Sequence, residues 1–137
     1  MLSEINDIID ERMIPTLNDA GLTRSQSHLL YILWSAGPSR LSALAEQQRC
    51  VRSNVTRLVR TLEQQGILEK TEDPSDKRAR LISLTKAGRA TFEPVLQEYQ
   101  HLEHELLADL DETEHRALLR LALRAAAILD RPSFSAR

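Results

Sequence analysis

Residues 49–66 read R-C-V-R-S-N-V-T-R-L-V-R-T-L-E-Q-Q-G. Val55, Leu58, Val59 and Leu62 recur at i, i+3, i+4 and i+7, the period of an α-helix with one apolar stripe. At about 100° per residue, Ser53, Arg57, Arg60 and Gln64 fall on the opposite face, with Asn54 and Thr56 on its flanks. Gly66 supplies a left-handed stop. Four arginines (49, 52, 57 and 60) and no acid lie between Arg49 and Leu62. An ordinary solvated helix face mixes its charges. A face of one sign, interleaved with Ser, Asn and Thr, suits phosphates and base edges. The neighbouring segments decide between the two readings.

Upstream, Gly37-Pro38 closes one helix and Ser39 is placed to cap a short next one, with Leu41, Leu44 and Ala45 facing inward. Residues 48–51 then make a tight turn into the arginine-bearing helix. Two short helices joined by about four residues, the second cationic outside, form a helix-turn-helix pattern. Val51 is a weak cap, so the start of the second helix is expected to depend on tertiary contacts or on phosphate. Downstream the period shortens. Ile67 to Glu72 and Arg80 to Leu84 read as strands, joined by the charged turn Asp73-Pro74-Ser75-Asp76-Lys77-Arg78. A charged hairpin directly after a helix-turn-helix is a wing. The expected fold is therefore mainly α with a small β-hairpin wing.

Composition agrees with this reading. The chain has 137 residues, 42% hydrophobic and 28% charged, and so is globular and sized for a single domain, residues 1–137. Net charge is only −2, but it is uneven: residues 48–80 hold eight Lys/Arg and five acids, +3 locally against −5 elsewhere. That asymmetry points to one cationic surface on an acidic body. A single cysteine excludes an intrachain disulfide and a four-cysteine zinc site, and fits a reducing cytoplasm. No signal peptide is expected at the N-terminus, and no apolar run has the length to span a membrane.

The flanking segments read as helices. The first, from Ser3 to about Asn18, carries Ile5, Ile8, Ile9 and Met13 on one stripe, and Pro15 predicts a kink or an early end. Thr23 and Gln26 match a capping box that opens the second helix. Leu29, Leu30, Ile32, Leu33 and Trp34 make that helix apolar over most of its circumference, so it is expected in the core. Thr85 caps a fifth helix that Pro94 is expected to bend. A second capping box, Asp111 to Glu114, opens the last helix. Its leucines and alanines (Leu118, Leu119, Leu121, Ala122, Leu123, Ala125, Ala126, Leu129) exceed what a terminal helix of a small monomer exposes, so a partner subunit is expected to cover them.

This order of elements resembles the MarR family of bacterial transcription regulators along essentially the whole chain. The matching residues are Leu22-Thr23 with Gln26, Leu44-Ala45, Val55-Thr56-Arg57-Leu58-Val59, and Leu62-Glu63 with Gly66. Asp73-Pro74 with Asp76-Lys77-Arg78-Ala79, and Leu84-Thr85 with Gly88, resemble the family's wing signature. The resemblance implies a winged helix-turn-helix with flanking dimerisation helices: a DNA-binding lobe over about 23–88 and dimerisation helices over about 3–20 and 85–130. It implies a homodimer reading a pseudo-palindromic site in double-stranded DNA, acting as a repressor released by a small-molecule or oxidative signal. Ser75 departs from the family, where many members carry another charge.

Carried over by position, the recognition residues are Arg52, Ser53, Asn54, Thr56, Arg57 and Arg60. The resemblance places Arg78 at the wing tip, reaching into a minor groove, with Asp76 orienting it or pairing another arginine; Lys77 beside it is expected to contact a phosphate. Arg40 and Ser42, beside the start of the third helix, are further phosphate candidates. The family's usual inducers are small aromatic acids and phenols, bound between the dimerisation helices and the reading head. Arg12, Tyr31 and Trp34 have suitable chemistry, although core packing accounts for the two aromatics more simply.

Two other features suggest a switch. Cys50, flanked by Arg49 and Arg52, has cations that lower a thiol pKa, but a small apolar plug in the turn explains it as well. The family's oxidant sensors carry their cysteine in the first helix, where this chain has none. His101, His104 and Glu105, with His115 further on, have a spacing that can hold a metal, and the resemblance adds that a minority of the family senses zinc. Without a second cysteine or a tight cluster, a solvated or interface histidine pair is the simpler account, so neither metal nor cofactor is expected. No nucleotide loop, nucleophile elbow, HExxH or paired catalytic set is present, which speaks against an enzyme. A helical adaptor binding protein through its last two helices is the remaining alternative.

Overall fold

The computed structural model describes residues 2–48 and 52–129. In chain order these form α1 (Leu2–Ala20), α2 (Arg24–Ala36), β1 (Ser39–Arg40), α3 (Leu41–Gln48), α4 (Arg52–Gln64), β2 (Leu68–Asp73), β3 (Asp76–Leu84), α5 (Lys86–Ala108) and α6 (Glu112–Leu129). The chain divides into two compact units, residues 1–99 and 100–137, and α5 runs from the first into the second.

In the first unit, α1 continues through Pro15 to Ala20, so the early end at the proline does not occur. Glu11, whose carbonyl loses its helical donor there, and Pro15 itself are both exposed, so water can satisfy that carbonyl. Met13 and Leu17, on the other side, are buried and hold the helix to the body. The same helix leaves Ile5, Ile8, Ile9 and Ile14 exposed. Gly21, with φ +69, ends α1. The capping box then forms as expected: Gln26 N–H donates to Thr23 Oγ1 at 3.1 Å, and Thr23 N–H donates to Gln26 Oε1 at 3.0 Å. Leu29, Leu30, Ile32 and Leu33 of α2 are buried, but Trp34 is not. Tyr31 and Trp34 are 44% and 41% exposed and lie against each other, ring centroids 6.0 Å apart. The core placement expected for them is therefore corrected: they occupy the side of α2 turned away from Leu29 and Leu33.

Ser39 does not cap α3. It and Arg40 form β1, which pairs antiparallel with β3 (Ser39↔Ile82, Arg40↔Leu81), and α3 begins only at Leu41. The sheet has three strands in the order β1-β3-β2, where sequence reading expects a hairpin alone. A two-residue strand is too short to leave a period in the sequence; pairing with residues 41 and 43 positions on creates it. The hairpin is also tighter than expected. Strand β3 begins at Asp76 rather than Arg80, so only Pro74 and Ser75 form the turn.

Of the α4 stripe, Val55, Val59 and Leu62 are buried, as are Leu44 of α3 and Ile82 of β3, while Leu58 is half-buried. At its end Gly66 adopts φ +74, and Ile67 N–H returns to Leu62 O. Thr85 then joins hairpin to helix. Its hydroxyl donates to Gly66 O at 2.6 Å and accepts from Gly88 N–H at 2.9 Å, capping α5. Gly88 is required there: a Cβ would collide with the Ile67 carbonyl oxygen. Phe92, Val95 and Leu96 of α5 complete this unit's core, and α5 is continuous through Pro94.

In the second unit, the Asp111–Glu114 capping box is formed, with Glu114 N–H donating to Asp111 Oδ1 at 2.8 Å. No residue of α6 is buried. Leu118, Leu119, Leu121, Leu123, Ile128 and Leu129 are 40% to 75% exposed.

Candidate nucleic-acid interface

Burial of Val55, Val59 and Leu62 fixes the rotation of α4, and that rotation turns Ser53, Asn54, Arg57 and Arg60 to solvent. Thr56 is half-buried at the flank. Thr61 donates its hydroxyl to Arg57 O at 3.0 Å, a bond back along the helix that leaves the Arg57 side chain outward. The expected face is thus brought together on one exposed helix. Arg52 begins α4, but its side chain lies outside the described residues, as do Arg49, Cys50 and Val51, and with them the thiol and the weak cap read from sequence.

The wing differs from expectation in which acid does what. Asp76 does not orient the Arg78 guanidinium; its Oδ1 accepts the backbone N–H of Arg78 at 3.0 Å. The acid that holds an arginine is Asp73. Its Oδ2 accepts from Arg40 Nε at 2.8 Å and Nη2 at 2.7 Å. Its Oδ1 accepts the Ser75 N–H at 2.9 Å and the Ser75 hydroxyl at 2.7 Å. Asp73 is 7% exposed. Its carboxyl is pulled from 3.8 down to about 2, first by the Ser75 backbone N–H, then by the Ser75 hydroxyl and Arg40. Arg40, expected as a phosphate contact, is therefore tied to the wing turn. Sequence reading missed Asp73 because its partner is 33 residues upstream. The departure at Ser75 also gains a use, since its hydroxyl donates to Asp73.

Lys77 and Arg78 are exposed, and Ser42 is exposed in the first turn of α3. Arg40, Ser42, Lys70, Arg78 and Arg80 line a concavity of about 430 Å³ at the root of the wing. Lys70 and Arg80 were not expected there; their signal in the sequence is the local excess of cations alone. Lys70 also lies 3.5 Å from Glu63.

The residues proposed for a ligand are not all brought together. Tyr31 lines a cavity of about 410 Å³ with Arg24, Ser25, His28, Gln48 and Tyr99; Arg12 and Trp34 are not among its walls. Gln48 is buried at the end of α3, donates its Nε2 to Ser25 O at 3.0 Å, and has no hydrogen bond to Oε1 among the described residues. Tyr99 comes from α5, which no local spacing connects to α2. Among the described residues no group of three His, Cys, Asp or Glu could hold a metal ion. His101 pairs with Glu105 at 3.0 Å, one helical turn on. No helix among them is long and apolar enough to cross a membrane.

A short helix, a second helix with a cationic outward face and a three-stranded sheet ending in a basic hairpin define a winged helix-turn-helix protein. Residues 22–79 match the MarR family model. Two proteins of Bacillus subtilis are 30% identical to this chain. One is the HTH-type transcriptional repressor MdtR, over 77% of this chain and 68% of that protein. The other is the uncharacterised HTH-type regulator YdgJ, over 76% of this chain and 63% of that protein. The chain thus spans under two thirds of YdgJ's length. S. aureus MepR in its DNA-binding conformation has the same fold, with a TM-score of 0.84 at 21% identity, covering 93% of this chain and 95% of that one. This chain belongs to the MarR family, whose named relatives are helix-turn-helix transcriptional regulators rather than enzymes.

Proposed function

We propose that this chain is a homodimeric, sequence-specific regulator that represses transcription by occupying a pseudo-palindromic site in double-stranded DNA. The observation that carries the reading is α4: three buried apolar positions turn Ser53, Asn54, Arg57 and Arg60 outward together, beside a basic wing. Side chains of this kind read base edges, and Arg at a narrow minor groove reads its shape. In the proposal α4 enters the major groove, the wing lies along the adjacent minor groove, and Ser42 and Lys77 meet phosphates. The apolar faces of α1 and α6 serve the dimer.

Release by a small aromatic acid or phenol is part of the same reading. The cavity supporting it offers Tyr31 and Tyr99 as aromatic walls, the Arg24 guanidinium as a cation and the His28 imidazole as a hydrogen-bonding ring, with Gln48 also in its lining. Gln48 closes α3, directly before the segment leading to α4, so an occupant there is well placed to disturb the reading helix.

Selection of bound fragments from genomic DNA by the purified protein tests the function. A two-fold-symmetric consensus, with affinity falling steeply as salt rises, is the expected outcome. Absence of salt-dependent binding to any duplex would leave the helical adaptor as the better reading.

A further inference from the structure

We propose that Arg40 and Asp73 form a latch that positions Arg78 on DNA, so that Arg40 acts through the wing rather than on a phosphate. The inference rests on the DNA-binding reading above.

The strands explain why a latch is needed. Glu72 pairs with Arg80 in the β2–β3 ladder, yet the next residue, Asp73, pairs with Asp76. Lys77, Arg78 and Ala79 therefore have no counterpart on β2 and form a bulge in β3. A bulge bends its strand and interrupts the ladder that would otherwise fix its direction. The exposed arginine expected to meet DNA sits in the middle of this segment.

Two carboxylates act on the bulge from its turn side. Asp76 takes the Arg78 backbone N–H, which fixes the chain but not the direction of the hairpin tip. Asp73 takes the second task. Arg40 stands on β1, across the central strand β3 from β2. Its guanidinium nonetheless reaches the last residue of β2, placing two nitrogens on one carboxylate oxygen. The other oxygen receives both donors of Ser75, the turn residue. One nearly buried carboxylate thus ties the edge strand, the end of β2 and the turn together, and the bulge hangs from that knot. An arginine so engaged has two donors committed and its charge matched by a fixed anion, which suits positioning rather than phosphate binding.

A double-mutant cycle separates the alternatives. Arg40→Gln, Asp73→Asn and Arg78→Ala are made singly and in pairs, and affinity is measured on a selected site with A·T-rich flanks, with hydroxyl-radical footprints of each complex. Arg40→Gln and Asp73→Asn should each weaken binding about tenfold and remove protection of the flanking minor grooves while keeping that of the major grooves. In the Arg78→Ala background each should cost less than about twofold more. Exchanging the partners, Arg40→Asp with Asp73→Arg, should restore part of the loss. If Arg40→Gln costs the same whether or not Arg78 is present, and lowers the salt slope, Arg40 is a phosphate contact and the latch is overturned. Hydrogen exchange on the free protein reads the latch without DNA: Asp73→Asn should speed exchange in residues 75–79 and leave α4 unchanged. Unaltered exchange there sinks the latch even if the protein binds DNA, whereas altered exchange with no DNA binding by the wild type would remove the DNA reading and keep the knot.

Discussion

Arg57 sits at the middle of the exposed face of α4, where the buried Val55, Val59 and Leu62 leave it no alternative direction. Arg57→Ala is expected to cost about 1–3 kcal/mol on the selected site and clearly less on random duplex, the signature of a base-edge contact. Equal losses on both, measured by anisotropy at fixed salt, would make it a phosphate contact. Asp73 allows a second test. Its folded-state pKa is depressed, from 3.8 to about 2, so its contribution to stability is fully present above 3.8 and is lost as pH falls through about 2. The urea midpoint of the wild type should exceed that of Asp73→Asn by a constant margin above about pH 5. The gap should close progressively below 3.8. A gap that widened on acidification would contradict the charged, hydrogen-bonded state described for this carboxylate.

Among the elements, the join between wing and α5 is the least tolerant. Thr85 caps α5 and grips the chain at Gly66 and Ile67, which brings the Ile67 carbonyl against Gly88. The obstruction is backbone on both sides, so no rotamer change relieves it. Gly88→Ala is expected to destabilise the protein by about 1–3 kcal/mol, read as a lower urea midpoint with an unchanged slope. Ala90, also on α5, is exposed, and conversion to Ser there should be nearly neutral. Equal stability of Gly88→Ala and wild type would mean the helix can shift away from Ile67.

At the scale of the whole molecule, clusters of exposed large apolar side chains on one helix point to a protein interface. Ile5, Ile8, Ile9 and Ile14 on α1, and six large apolar residues on α6, are exposed. Sedimentation at low micromolar concentration should therefore give a species of twice 15.6 kDa. Leu123→Lys, at 72% exposure in the single chain, should shift that species toward monomer and weaken operator binding with it. A wild-type monomer at that concentration would remove both the dimer and the two-half-site mode of binding.

Much of this was legible in one dimension because it depends on local repetition. The 3.6-residue stripe of α4, the capping boxes at Thr23 and Asp111, and the left-handed Gly66 each depend on residues three or four apart, a range over which backbone geometry alone dictates neighbours. The candidate recognition face follows from the same periodicity. Contacts between distant residues were not legible. Strand β1 exists because β3 lies beside it; Arg40 is tied to Asp73 because the sheet carries them to one end; Tyr99 lines one cavity with Tyr31 although 68 residues separate them. Pro15 stayed helical because the packing of Met13 and Leu17 outweighs one missing backbone bond. In each case the energy that decides comes from burial or pairing between segments far apart in the chain, a quantity no window of neighbouring residues contains.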